Sequence, residues 1–78
     1  MESSTEKSIV VVTGGASGIG EACVRQFASS GASVAIVDIA EDAGLRLAEQ
    51  VHGKFYKANV VNRSEIERAA NDIESDFG

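Results

Sequence analysis

The run Val11 to Gly20, VVTGGASGIG, sets Gly14, Gly15, Gly18 and Gly20 between two apolar segments of different period. Before it, Ser8–Thr13 (SIVVVT) is a continuous, β-branched run, the pattern of a strand covered on both faces. After it, Ile19, Cys23 and Phe27 recur every fourth residue with Val24 and Ala28 alongside, which makes one apolar helical face. Glycine loses more conformational freedom on folding than any other residue, so it is costly inside either element. At a strand-to-helix turn it has a use. The helix N-terminus offers unpaired N–H groups and a partial positive charge, and side chains there would hold an anion away. The glycine run therefore predicts a phosphate cradle.

The remainder of the chain repeats the alternation. Gly31 is placed to cap the first helix. Ser33–Ile39 (SVAIVDI) reads as a second buried strand ending in a charge. Glu41 and Asp42 suit a helical first turn, Ala43, Leu47 and Val51 form its apolar face, and Gly53 is expected to end it. Gly44 inside this helix costs about 1 kcal/mol against alanine. Lys54–Asn59 (KFYKAN) reads as a third strand. Asn62 with Glu65 resembles a capping box, and Ile66, Ala70, Ile73 and Phe77 line a third helix. The polar residues 1–7 are expected to form a flexible terminus. The order β-α-β-α-β-α, with no proline to interrupt it, implies parallel crossovers in an α/β fold.

Size and charge narrow the partners. Seventy-eight residues allow one small domain, and an apolar fraction of 44% is that of a globular chain. The net charge is −5 with acidic residues spread along the chain, whereas nucleic-acid binding needs clustered Lys and Arg. No segment has transmembrane length and no signal peptide is visible, so no membrane partner is expected. A lone cysteine, Cys23, forms no internal disulfide, so a reducing, cytoplasmic setting is expected.

Three phosphate motifs compete for the loop. The Walker pattern aligns on Gly15 and Gly20, but Glu21 stands where its lysine should meet a triphosphate. The GxGxxG spacing is absent. What stands here is Thr13-Gly14-x-x-x-Gly18-x-Gly20. It resembles the TGxxxGxG fingerprint of the short-chain dehydrogenase/reductase family, including the Gly18-Ile19-Gly20 ending. The resemblance covers the family's N-terminal half. It implies a Rossmann-type doubly wound parallel sheet, incomplete here, with residues 1–78 the N-terminal part of one dinucleotide-binding domain.

The same resemblance implies roles for residues. Gly14, Ser17, Gly18, Ile19 and Gly20 would lie on the pyrophosphate. Asp38, eighteen residues beyond Gly20, would accept hydrogen bonds from the adenosine ribose. Asn59-Val60 stands where the family usually has an Asp-Val pair against the adenine. Asn59 offers either an acceptor or a donor there. Read without the resemblance, Asp38 is a solvated strand end, Asn59 an ordinary turn former, and Ser17 either a phosphate contact or a group facing water. Cys23 reads as core and His52 as a helix C-terminal cap. The implied cofactor is NAD: Asp38 would repel the 2′-phosphate of NADP, and Ser17 and Ile39, where a compensating cation usually sits, are uncharged.

The family's chemistry uses a tyrosine with a lysine four residues on. The one tyrosine, Tyr56, is followed at that spacing by Val60. No catalytic residue and no metal ligand is therefore assigned within these residues. The reading is the NAD-binding half of an oxidoreductase acting on an alcohol or carbonyl substrate, from a homo-oligomeric parent. The alternative is a non-catalytic adenine-nucleotide binding module, or a truncated regulatory partner of a full-length enzyme. In a strand order 3-2-1-4 the first two helices cover one face and the third the other. Without a fourth strand, the first would keep a bare edge.

Overall fold

The computed structural model describes residues 9–77, so the terminus expected over 1–7 lies outside the described residues. The elements are β1 (Ile9–Thr13), α1 (Gly18–Ser29), β2 (Ser33–Asp38), α2 (Glu41–Val51), β3 (Lys54–Lys57) and α3 (Arg63–Phe77). The strands form one parallel sheet in the order β1-β2-β3. Ile9 to Thr13 pair with Ser33 to Val37, and Ala35 to Asp38 pair with Lys54 to Lys57. This is the doubly wound arrangement with the central strand buried throughout from Val34 to Val37.

The two faces of β2 carry two separate cores. Val34 and Ile36 pack with Val24 of α1 and Leu47 and Ala48 of α2. Ala35 and Val37, on the alternate positions, pack with Ala58 and with Ala69 and Ile73 of α3. The period-2 alternation of a strand thus divides one apolar run between two helical layers. The third helix lies on the opposite face from the first two, as right-handed crossovers require. β1 sits at an edge. Its Ile9 and Val11 are 48% and 49% exposed, and with Val37, Ile66, Ala70 and Ile73 they border an apolar groove of about 370 Å³. A continuously apolar strand here has one face half in water.

Helix ends differ in their chemistry. α1 closes with Gly31 N–H donating to Ala28 O at 3.0 Å and Ala32 N–H to Phe27 O at 3.1 Å. That is a Schellman motif with glycine just past the cap. α2 ends where its sequence suggests, with His52 as the C-cap. His52, not Gly53, takes the left-handed conformation, with φ +58°, and Gly53 N–H donates to Ala48 O at 2.8 Å. Glycine at 53 is demanded by space, since a Cβ there would stand 2.7 Å from Val34 O. Gly44 has a similar reason: a Cβ would overlap the Phe55 ring, so the missing side chain lets α2 lie close against β3. β3 is shorter than expected, because residues 58 and 59 have left the ladder to build the loop before α3.

Candidate functional site

The carboxyl ends of β1, β2 and β3 bring three of the expected segments to one edge of the sheet. After Thr13 the chain turns off the strand through Gly14 at φ +69°, and enters α1 through Gly18 at φ +56°. A side chain at either position would be strained whatever the space. The space itself is open: nothing stands within 4 Å of a Cβ built at Gly14 or Gly18. Gly20 is the reverse case. A Cβ there would overlap Gly14 O, so the first turn of α1 rests directly on the loop backbone.

Donors face this opening. The first bond of the helix runs from Glu21 N–H to Ser17 O at 3.3 Å. The amides of Gly18, Ile19 and Gly20 precede it and have no partner among the described residues. Ser17 is the N-cap residue, yet its hydroxyl makes no capping bond. The cap is thus left to whatever anion meets these donors. Ile19, at the same helix start, is 85% exposed, an unusual position for a large apolar side chain.

Asp38 ends β2 and reaches across to the loop. Its Oδ2 accepts from Ala16 N–H at 3.0 Å and its Oδ1 from Ala40 N–H at 2.9 Å. The Ala40 amide, then the Ala16 and Ile39 amides, hold the carboxyl below the ordinary value of 3.8 against the opposing effect of burial. A carboxylate has about four acceptor sites, so with these amides against it some acceptor capacity remains. Asp38 therefore fixes the loop and keeps capacity for a diol.

Asn59 is placed beside it, because Ala58 N–H donates to Asp38 O at 3.1 Å. Its own amide donates to Glu65 Oε1 at 2.8 Å. This modifies the expected capping box. Asn62 Oδ1 does accept from Glu65 N–H at 3.1 Å, but the Glu65 carboxylate reaches back to Asn59 rather than to Asn62. Val60 and Ile39, on the two loops flanking this edge, are 53% and 61% exposed. Ile39, read from sequence as the last residue of the second strand and as an uncharged position, lies just past the end of β2 and is exposed beside Asp38.

The other expected residues lie elsewhere. Cys23 is half-buried on α1. Tyr56 is in β3, and its hydroxyl donates to Asp76 Oδ2 at 2.8 Å; burial, then the Asp76 carboxylate, push the phenol's pKa up. Arg25 and Arg46 line a polar cavity of about 160 Å³ with Ala16, between α1 and α2. Sequence spacing gave no hint of them, since they come together only when the two helices pack. Arg25 is already committed to Glu21 at 3.0 Å and to Gln50 at 2.5 Å. Among the described residues there is no cluster of metal-ligating side chains, and no helix is long and apolar enough to cross a membrane.

Comparison with known proteins agrees with this geometry. The sequence profile of the short chain dehydrogenase family matches residues 8–78. The chain is similar to Short-chain dehydrogenase reductase 4 of Arabidopsis thaliana, 45% identical over 64 residues, which are 78% of this chain and 22% of that protein. It is 41% identical over 73 residues to Short-chain dehydrogenase reductase 3a of the same plant, covering 90% of this chain and 28% of the relative. A crystal structure of 3-ketoacyl-(acyl-carrier-protein) reductase from Brucella melitensis, complexed with NADH, superposes with a TM-score of 0.90 at 30% identity. It covers 96% of this chain and 32% of that one. The chain thus spans roughly a fifth to a third of the length of these proteins. The chain belongs to the short-chain dehydrogenase family of oxidoreductases.

Proposed function

We propose that residues 1–78 are the N-terminal part of one dinucleotide-binding domain, and that they hold NAD for an oxidoreductase acting on an alcohol or carbonyl substrate. The observation that carries this is the joining of Asp38 to Ala16 beside the unpartnered amides of Gly18, Ile19 and Gly20. One carboxylate and one helix N-terminus are thereby fixed at a distance set by a hydrogen bond. The amides and the α1 dipole bind the pyrophosphate. The acceptor capacity left on Asp38 takes the ribose hydroxyls. Ile39 and Val60 flank the adenine, Asn59 meets its edge, and Ile19 covers the pyrophosphate from the solvent side. Ser17 adds a hydroxyl to the phosphate donors.

Bound NAD supplies a hydride acceptor, and NADH a donor. The residues here bind and orient it; proton transfer belongs to a tyrosine–lysine pair in the full-length parent, since Tyr56 is followed at that spacing by Val60. The parent is read as a homo-oligomer in the reducing cytoplasm, in keeping with its family and with a lone Cys23. The test is a calorimetric titration of NADH into the chain and into its Gly20→Ala variant. Binding by the wild type and its loss in the variant support the reading; equal binding by both overturns it.

A further inference from the structure

β3 ends at Lys57 and α3 begins at Arg63, so residues 58–62 leave the ladder as a loop at the edge where Asp38 stands. Two bonds shape this loop without placing it. Asn62 N–H donates to Asn59 O at 2.9 Å, and Val61 N–H to Asn59 Oδ1 at 3.1 Å. Two others tie its start to the rest of the chain. Ala58 N–H donates to Asp38 O at 3.1 Å, and Asn59 N–H to Glu65 Oε1 at 2.8 Å. The acceptor in the second is a side chain from the first turn of α3. Glu65 is half-buried and has no ion-pair partner among the described residues. Its own N–H donates to Asn62 Oδ1 at 3.1 Å, so α3 takes its cap from another residue.

We infer that Glu65 is a positioning residue for the dinucleotide: its carboxylate holds the loop after β3 in place at the end of β2, and thereby sets the affinity of the site. The inference rests on the cofactor reading above and adds to it a residue that acts only through another. From Glu65 a run of bonds reaches the glycine turn. Glu65 accepts from Asn59 N–H, the neighbouring Ala58 N–H donates to Asp38 O, and Asp38 Oδ2 accepts from Ala16 N–H. The three segments at the carboxyl edge are thus tied to one another in the unliganded chain, which spares binding the cost of ordering them. A carboxylate in the first turn of a helix also interacts favourably with the helix dipole, and that effect alone would leave the site unchanged. The two roles need different properties of the side chain. Positioning needs an oxygen at the reach of glutamate, whereas the dipole needs a charge.

The test titrates NADH into the 78-residue chain and into its Glu65→Gln and Glu65→Asp variants. Glu65→Gln keeps the oxygen and its reach without the charge. Glu65→Asp keeps the charge but stops one methylene short of Asn59 N–H. Both are conservative, and far-UV circular dichroism checks that each is folded. Glu65→Gln is expected to bind NADH within about threefold of the wild type, and Glu65→Asp about tenfold or more weakly. Hydrogen exchange at the Asn59 amide is expected to follow the same order, near the wild-type rate in Glu65→Gln and about tenfold or more faster in Glu65→Asp. Wild-type affinity in Glu65→Asp, an equal loss in both variants, or unchanged exchange at Asn59 in Glu65→Asp overturns the inference and leaves the cofactor reading in place. An absence of NADH binding by the wild type is the failure of the cofactor reading itself, and this inference falls with it.

Discussion

The Oδ2 of Asp38 and the backbone amide of Ala16 are 22 residues apart in sequence and 3.0 Å apart in space. One bond ties the end of β2 to the glycine turn that follows β1. With Ala40 N–H on the other oxygen, it favours the ionised carboxylate.

That preference has a pH signature. The folded state lowers the pKa of Asp38 below 3.8, so its stabilising contribution is full above that value and is lost as pH falls through the lowered pKa. Asp38→Asn keeps one acceptor but turns an amide donor toward the other N–H. It is expected to cost about 1 kcal/mol near neutral pH, for a charge-assisted bond discounted for partial exposure. The difference should shrink below about pH 4. Urea melts of both proteins across that range check it.

Gly14 and Gly20 fail differently when substituted. Gly14→Ala meets open space but a left-handed φ of +69°, with an expected cost of about 1–2 kcal/mol. Gly20→Ala drives a Cβ into the Gly14 carbonyl, so the loop must move off the helix. Overpacking of this kind costs about 1–3 kcal/mol, and here it also displaces the donors that would bind phosphate. Thermal melts give the first quantity, and cofactor titration separates the variants.

Gly44→Ala sets two effects against each other. Helix propensity favours alanine by about 1 kcal/mol, while overlap with the Phe55 ring costs about 1–3 kcal/mol. The ring belongs to the partly buried apolar residues packed on the α1–α2 core and cannot simply swing away, so a net loss is expected. Phe55→Leu in the same chain should recover part of it. A double-mutant cycle measures the coupling.

How far the sequence foretold these relations depends on how local they are. The TGxxxGxG spacing, the strand–helix alternation and the Schellman ending at Gly31 are written within a few neighbouring residues, and all were legible. The Asp38–Ala16 bond was not, because nothing at either position names the other. Gly44 read as a fault in a helix until Phe55 of β3 came to lie against it. Gly53 read only as the end of a helix, whereas the space under Val34 O, in another strand, is what demands glycine there. Glu65 was expected to reach Asn62, three residues away, and instead found the amide of Asn59 across the loop. Each miss is a contact between elements that period and propensity describe one at a time.

The proposed cofactor choice rests on the charge of Asp38. NAD is expected to bind about tenfold or more tightly than NADP, whose 2′-phosphate would face a carboxylate in a partly desolvated place. The uncharged Ser17 and Ile39 supply no compensation, and Arg25 is held by Glu21 and Gln50. Paired titrations at one ionic strength measure the ratio. The double variant Asp38→Ala, Ile39→Arg should move it toward NADP.

Dinucleotide binding at the amino end of α1 is tested most directly by mapping backbone amide chemical shifts as NAD is added to the chain. The signals of Gly14 to Gly20, Asp38, Asn59 and Val60 are expected to move together along one binding curve. Shifts confined to the apolar groove of Ile9, Val11 and Ala70, or an unchanged spectrum at saturating NAD, would contradict it.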